Sequence, residues 1–455
     1  MNGLFIFHRD LRIEDNKTLI ELNSRCEKVY TCFIFTPEQV TSKNNFKSDN
    51  SIQFMIDSLK ELEHTITKNK GSLLINYGDN KTILTKLISE LKINILACNT
   101  DYTPYAKERL KMMSNLCNEL NISILTMNDY YLYEPGTIKV VSTGKAYTKY
   151  TPFYKKVKEI KLDKPILQFK LKLSKSKFKS NYSLKEAFEK LITFNDAILV
   201  KGGRSEGLKI LKSIHTFKKY DETRNTLQLE TTQLSGYLKF GCISVREAAL
   251  EFHKIQPLFK QLVWREFYMH ILNDYPETLT SPLKEKYAAV EWSQSKNHLE
   301  SWKSGITGYP IVDAGMRQLN TTGYMHNRAR LITACFLIKT LLINWQEGEK
   351  YFATKLLDYD PASNNGNWQW VASTGADSQP YFRIFNPWTQ SKQHDKDGVY
   401  IKKWLPELIE VENKHLHEWD KHCEDYLKKG IDYVKPIVDY KIQREKALEM
   451  YKKIM

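Results

Sequence analysis

The stretch YMHNRARLITACFLIKTLLINW at 324–345, followed by DYDPASNNGNWQW at 358–370, decides how this chain is read. In the first piece Ile332, Phe336, Leu337, Leu341 and Leu342 recur at helical spacing, which predicts a buried helix. Residues three and four apart share a helix face, so Asn327, Arg330 and Leu331 point roughly together, with Arg328 between them. An Arg on a largely apolar helix needs a partner, because an unpaired buried charge is costly. Asp358 and Asp360 supply two candidates, on alternate positions of a bend that Pro361 closes. Two readings stay open here: an ion pair that only holds the fold, or a ligand gripped between helix and bend.

Outward from that stretch, 455 residues are too many for one core and suggest two or three domains. No apolar run reaches the ~20 residues that cross a bilayer. MNGLFIFHRDLR does not read as a signal peptide, since acid and base follow a short apolar run at once. The seven cysteines are odd in number and scattered, without a C-x-x-C pair. That favours a reducing intracellular compartment, cytoplasmic or nuclear, and argues against a zinc site. A formal charge of +15 suits a polyanion such as nucleic acid. All nine tryptophans lie at or after Trp264, so the two halves of the chain have different tasks.

Residues 1–130 alternate short apolar runs with helical patterns. Strands are expected at Leu4–Phe7, Val29–Phe35, Leu73–Tyr77, Ile93–Cys98 and Ser123–Met127, with helices at Ser48–Ile66, Lys81–Leu91 and Pro104–Leu120. This is the rhythm of an α/β domain with an open, five-stranded parallel sheet. The turn after the first strand reads His8-Arg9-Asp10-Leu11-Arg12, with neither a G-x-G-x-x-G nor a G-x-x-x-x-G-K-[ST] motif. Residues 131–200 are irregular and Lys-rich, and the run Lys170–Lys179 reads as a solvated interdomain linker. From 201 to 455 an all-α domain is expected. Within it, Thr231-Thr232-Gln233-Leu234-Ser235 precedes a helix-like stretch, an arrangement that can serve as an ordinary N-cap or receive a phosphate.

Six motifs carry a likeness to a known family: FHRDLRIEDN at 7–16, AYTKYTPF at 146–153, TTQLSGYLKFGCIS at 231–244, QLVWREFY at 261–268, TGYPIVDAGMRQLNTTGYMHNRARLITACFLIK at 307–339 and NNGNWQWVASTGADSQPYFRIFNP at 364–387. Along nearly its whole length the chain resembles the photolyase/cryptochrome family, most closely the class I enzymes that repair cyclobutane pyrimidine dimers. The resemblance implies FAD in the helical domain, active as FADH⁻, which passes a light-excited electron to the dimer and recovers it once the ring has split. It implies that Tyr220, Thr231, Thr232, Gln233, Leu234 and Ser235 hold the pyrophosphate and ribose. Arg330 would pair with Asp358 beside the ring system, Asp360 would accept from the ring imide, Asn364 would face the redox-active nitrogen, and Gln261, Arg265 and Asn327 would complete the cofactor site. Trp368, Trp345 and Trp292 would form an electron relay from flavin to surface.

For the lesion, flipped from UV-damaged DNA, the resemblance implies walls at Trp264 and Trp370, pyrimidine-edge contacts from Gln261 and Asn327, and phosphate contacts from Arg224 and Arg328. Photolyases are an established example of base flipping. Glu108 matches an antenna contact, for methenyltetrahydrofolate or an 8-hydroxydeazaflavin. A monomer without an obligate protein partner is expected. Three departures stand out: Gln261 where class I enzymes usually carry Glu, Leu331 for Met and Tyr324 for Trp. Gln261 is shared with (6-4) photolyases, but those enzymes place two His where this chain has Asn327 and Leu331, and without an imidazole acid (6-4) repair is disfavoured. The DASH subgroup tends to replace the wall Trp matched by Trp370. Asn364, and a C-terminal end without a low-complexity tail, favour repair over a cryptochrome-like photoreceptor.

Overall fold

The computed structural model describes residues 1–454. Five parallel strands, β1 (Asn2–Phe7), β2 (Lys28–Phe35), β3 (Leu73–Tyr77), β4 (Ile95–Thr100) and β5 (Ser123–Asn128), form one sheet in the order β3-β2-β1-β4-β5. Each expected strand is present within two residues of its expected bounds. The helices Asp49–Lys68, Asn80–Glu90 and Pro104–Glu119 likewise sit where periodicity placed them. Ser48 and Asp79 start the first two by accepting from the backbone N–H of Ser51 and Thr82.

Both faces of the sheet are covered, as parallel sheets require. Successive side chains point to opposite faces. Leu4 and Ile6 of β1 pack with Leu84, Leu87 and Met113. Phe5 and Phe7 face the other way, into a core continuous with Leu234, Tyr237 and Phe267 of the helical region. A separate helical core surrounds the buried Asn327–Lys339 helix. That helix is shorter than its apolar run, ending at Lys339; Leu342 lies beyond it with φ 58°.

The Lys170–Lys179 run is not a free linker. It pairs with the start of β2, ahead of where β3 joins that strand: Val29 N–H donates to Lys172 O (3.1 Å) and Ser174 N–H donates to Val29 O (2.9 Å). Further on, the Ser180 hydroxyl and the Asn181 side-chain oxygen accept from the N–H groups of Ile75 and Tyr77 on edge strand β3. An uncovered strand edge invites pairing with other chains, and this strap closes it. Its lysines face solvent while Leu171, Leu173, Ser176 and Phe178 turn inward, an alternation visible in KLKLSKSKFK. Before and after the strap come helices at Tyr150–Lys158 and Leu184–Leu191.

The two regions are pinned together by charge at the turn after β1. Arg12 donates to Asp129 (2.5 Å) and to Gly241 O, and Arg246 reaches Asp15 (2.8 Å) and Asp129 (2.6 Å). All four side chains are buried, so deleting one partner strands the others, typically at about 3–5 kcal/mol. Gly241, at φ 60°, lets the helical region approach that turn, where a Cβ would fall 2.5 Å from Arg9 O.

Candidate functional site

His326 caps the Asn327–Lys339 helix by accepting from Arg328 N–H, and this fixes where the first turn points. One turn in, Arg330 donates from Nε to Met325 O (2.9 Å) and from Nη2 to Asp358 Oδ2 (2.9 Å). Asp360 caps the Pro361–Ala372 helix through Ser363 N–H (2.9 Å), and Pro at its first position stiffens the entry. Helix, bend and second helix thus converge on a cavity of about 280 Å³.

Its lining collects most of the residues implied as cofactor ligands: Tyr220, Thr232, Leu234, Ser235, Gln261, Arg265, Asn327, Arg330, Asp358, Asp360 and Asn364. Thr231 and Gln233 are half-buried beside it but do not line it. Capping at 231–235 differs from the sequence expectation. The helix there is five residues long, Ser235–Lys239, its N-cap is Leu234, and the Ser235 hydroxyl donates to Asp358 Oδ2 at 2.6 Å. Asp358 therefore takes two donors on one oxygen, while its buried Oδ1 has no partner in the protein. A buried carboxylate oxygen without a donor is uncommon. A cavity-bound ligand bearing N–H or O–H groups would satisfy it, as a flavin dinucleotide can, so these residues fit FAD.

Charge around Asp360 is arranged with care. Burial pushes its carboxyl up, but Arg9, Lys239 and Arg265 together hold it down at about 2. Lys239, half-buried on the short helix, is lowered to about 8 by burial and then by Arg9. Lys239 and Ser363 line the cavity and were not anticipated. For Lys239 a signal existed, since it lies four residues after Ser235 and so on the same helix face. Asn364 donates from its amide to Glu349 O (3.1 Å), which fixes its side chain at the cavity wall.

Gln261 and Asn327 line the cavity, whereas Trp264, Trp370, Arg224 and Arg328 lie outside its lining. All four are half-buried. Trp264 stacks flat on Tyr150, with ring centroids 3.7 Å apart and planes 2° apart, so one indole face is already covered. Both Nε and Nη2 of Arg328 donate to Asn225 Oδ1, which orients its guanidinium. Of the relay candidates, Trp368 lines the cavity, Trp345 is buried with it in the helical core, and Trp292 is partly exposed. The Trp368 ring abuts Gly348, where a Cβ would come within 2.2 Å. Trp345 is three residues before Gly348 on the same helix, hence on the same face.

A second cavity, of about 600 Å³, opens at the carboxyl ends of β1, β2 and β4. The strand order reverses between β1 and β4, and open α/β sheets bind ligands at such points. Arg9, Phe35, Asp101, Tyr105 and Arg109 line it, and Lys239 and Tyr359 border both cavities. Glu108 is exposed and lines neither, although its helix brings Tyr105 and Arg109 to the second.

Comparison with known proteins agrees with this geometry. A family model described as "DNA photolyase" matches residues 4–170, and one described as "FAD binding domain of DNA photolyase" matches 258–453. The deoxyribodipyrimidine photo-lyase of Buchnera aphidicola subsp. Baizongia pistaciae is 35% identical over 440 residues, covering 91% of each chain. The crystal structure of an archaeal photolyase from Sulfolobus tokodaii with two FAD molecules superposes with a TM-score of 0.90 at 34% identity, covering 100% of both chains. That of a bacterial class III photolyase from Agrobacterium tumefaciens gives 0.92 at 33% identity, covering 100% of this chain and 97% of the other. With a relative this similar along nearly its whole length, and a cavity whose donors fit FAD, the chain belongs to the photolyase/cryptochrome family.

Proposed function

We propose that this chain is a light-driven DNA repair enzyme, a deoxyribodipyrimidine photolyase, that splits cyclobutane pyrimidine dimers flipped into the cavity beside Gln261 and Asn327. The observation that carries the reading is the cavity itself, lined together by the Arg330–Asp358 pair, Asp360, Asn364, Trp368, Gln261 and Asn327. Bound, reduced FAD supplies the light-excited electron, and the protein supplies position, electrostatics and exclusion of water. Arg330 and Asp358 would hold the ring system, Asp360 would accept from its imide N–H, and Asn364 would face the ring edge. Tyr220 and the residues 231–235 would hold the phosphate and ribose end.

Gln261 and Asn327 offer amide donors and acceptors to the pyrimidine edges. Neither is acidic, so neither can protonate the lesion, in keeping with a dimer substrate rather than a (6-4) product. Trp264 and Trp370, half-buried outside the lining, are the aromatic groups this reading assigns to stacking on the lesion. Arg224 and Arg328 steady the flanking phosphates without reading sequence. The falling burial from Trp368 and Trp345 to Trp292 suits a relay that ends at solvent.

The proposed division of labour places antenna binding in residues 1–130 and FAD and lesion binding in 201–455. An antenna chromophore would occupy the second cavity. A monomer without an obligate protein partner is part of this proposal. Among the described residues all seven cysteines are unpaired and buried, in keeping with a reducing compartment, and no helix is long and apolar enough to cross a membrane.

The direct test is to irradiate the reduced protein separately with oligonucleotides carrying a thymine dimer and a (6-4) product. Restored thymines from the first and unchanged second substrate are expected; repair of the (6-4) product alone would overturn the substrate assignment. Trp264→Ala is expected to weaken binding of dimer-containing DNA by about 1–3 kcal/mol, the usual worth of one base–aromatic stack. Titration with labelled duplex checks this, and unchanged affinity removes Trp264 from the wall.

A further inference from the structure

The turn His8-Arg9-Asp10-Leu11-Arg12, which occupies the place of a Gly-rich nucleotide turn, has its own connection to the cofactor cavity. Arg9 is buried at the boundary between the two regions. Its Nε and Nη2 clamp Asp101 through two bonds of 2.8 Å, and Nη2 also donates to the Tyr131 hydroxyl at 2.9 Å. Tyr130 lies under the guanidinium, 4.8 Å from ring centroid to cation. A two-pronged carboxylate clamp fixes the plane of a guanidinium in a way that Lys cannot reproduce. The remaining Nη1 is thereby aimed at Asp360 Oδ2, 3.1 Å away. Asp360 Oδ1 is held from the opposite side by Ser363 N–H. The carboxylate is thus gripped at both oxygens, and its orientation toward the cavity is set partly by a residue 351 positions away in the other domain.

We propose that Arg9 is a positioning residue for the flavin: it aims Asp360 at the ring and balances that carboxylate's charge from across the domain boundary. This rests on the reading of the first cavity as the FAD site. The cationic groups that face Asp360 are Arg9 from the turn after β1, Lys239 from the Ser235–Lys239 helix and Arg265 from the Gln256–Asp274 helix. Only Arg9 among them is joined to Asp360 by a hydrogen bond. Removing it leaves a negative charge less compensated beside a ring that must accept electrons, which disfavours the reduced cofactor.

The experiment is a redox titration of the bound flavin, with FAD affinity alongside, on the full-length holoprotein as wild type, R9Q, D360N and the double variant. R9Q is expected to lower the midpoint potential and to raise the FAD dissociation constant by roughly tenfold, the scale of one charge-assisted hydrogen bond. In the D360N background R9Q is expected to move the potential no further, because coupled residues are non-additive. Should R9Q not fold, R9K serves, with a smaller shift in the same direction on the wild-type background and none on D360N. An equal shift in both backgrounds, or none in a holoprotein that still binds FAD, overturns the role of Arg9. If instead D360N alone leaves both affinity and potential unchanged, the placement of the flavin against Asp360 falls, and the inference with it.

Discussion

Trp345→Phe is expected to abolish photoreduction while leaving repair by chemically reduced protein intact. The indole of Trp345 is 3% exposed and packs in the same core as Trp368, which reaches the cavity. Phe preserves an aromatic ring of lesser size, so the fold should lose only about 1–2 kcal/mol, the ordinary scale for a single core change. What it removes is the easily oxidised group that the proposed relay sets between Trp368 and partly exposed Trp292. Illumination of oxidised holoprotein with an external reductant, followed by absorbance, reads the first half of the claim. Dimer repair after dithionite treatment reads the second. Normal photoreduction in the variant would eliminate the relay through Trp345, and lost repair after chemical reduction would mean that the substitution had damaged the site itself.

The second large effect concerns the Arg330–Asp358 pair. Arg330→Gln is expected to weaken FAD binding by about 2–3 kcal/mol, roughly 30- to 150-fold, the scale of a hydrogen-bonded charge left without its partner. Asp358 has a side-chain exposure of 4%, so its carboxylate cannot recover that energy from water. Ser235 would be its remaining donor. Equilibrium binding of FAD to apoprotein measures the loss, with far-UV circular dichroism and thermal unfolding as controls. If affinity is unchanged and only the melting temperature falls, the pair is a device of the fold and not of the cofactor site. That outcome is the alternative the amino-acid sequence alone had left open.

Much of this site was legible because its determinants are local. Arg330 and Asn327 share one helix face, and the caps at His326 and Asp360 fix how each helix starts within a few residues. The strands were legible because burial on both faces forces runs of Phe, Ile, Leu and Val. Ser235 is a different case. Its hydroxyl looked like a helix cap, yet it bonds Asp358, 123 residues distant, and no local pattern encodes that choice. The strap at 170–179 was misread because its lysines dominate the composition, while its inward alternation of Leu, Ser and Phe matters only once β2 and β3 present open edges to it.

By itself, then, the order of residues determined the parallel α/β half, the helical half, the family and the group of polar side chains that meet at the first cavity, since each of these follows from short-range periodicity or from contiguous motifs. Only the tertiary structure decided which oxygen of Asp358 stays without a donor, that Arg109 lines the second cavity while Glu108 lines neither, and that Arg9 reaches Asp360. The last of these depends on how the two halves dock. The docking is set by buried charges from distant segments satisfying one another, a condition on three-dimensional geometry that spacing along the chain does not express.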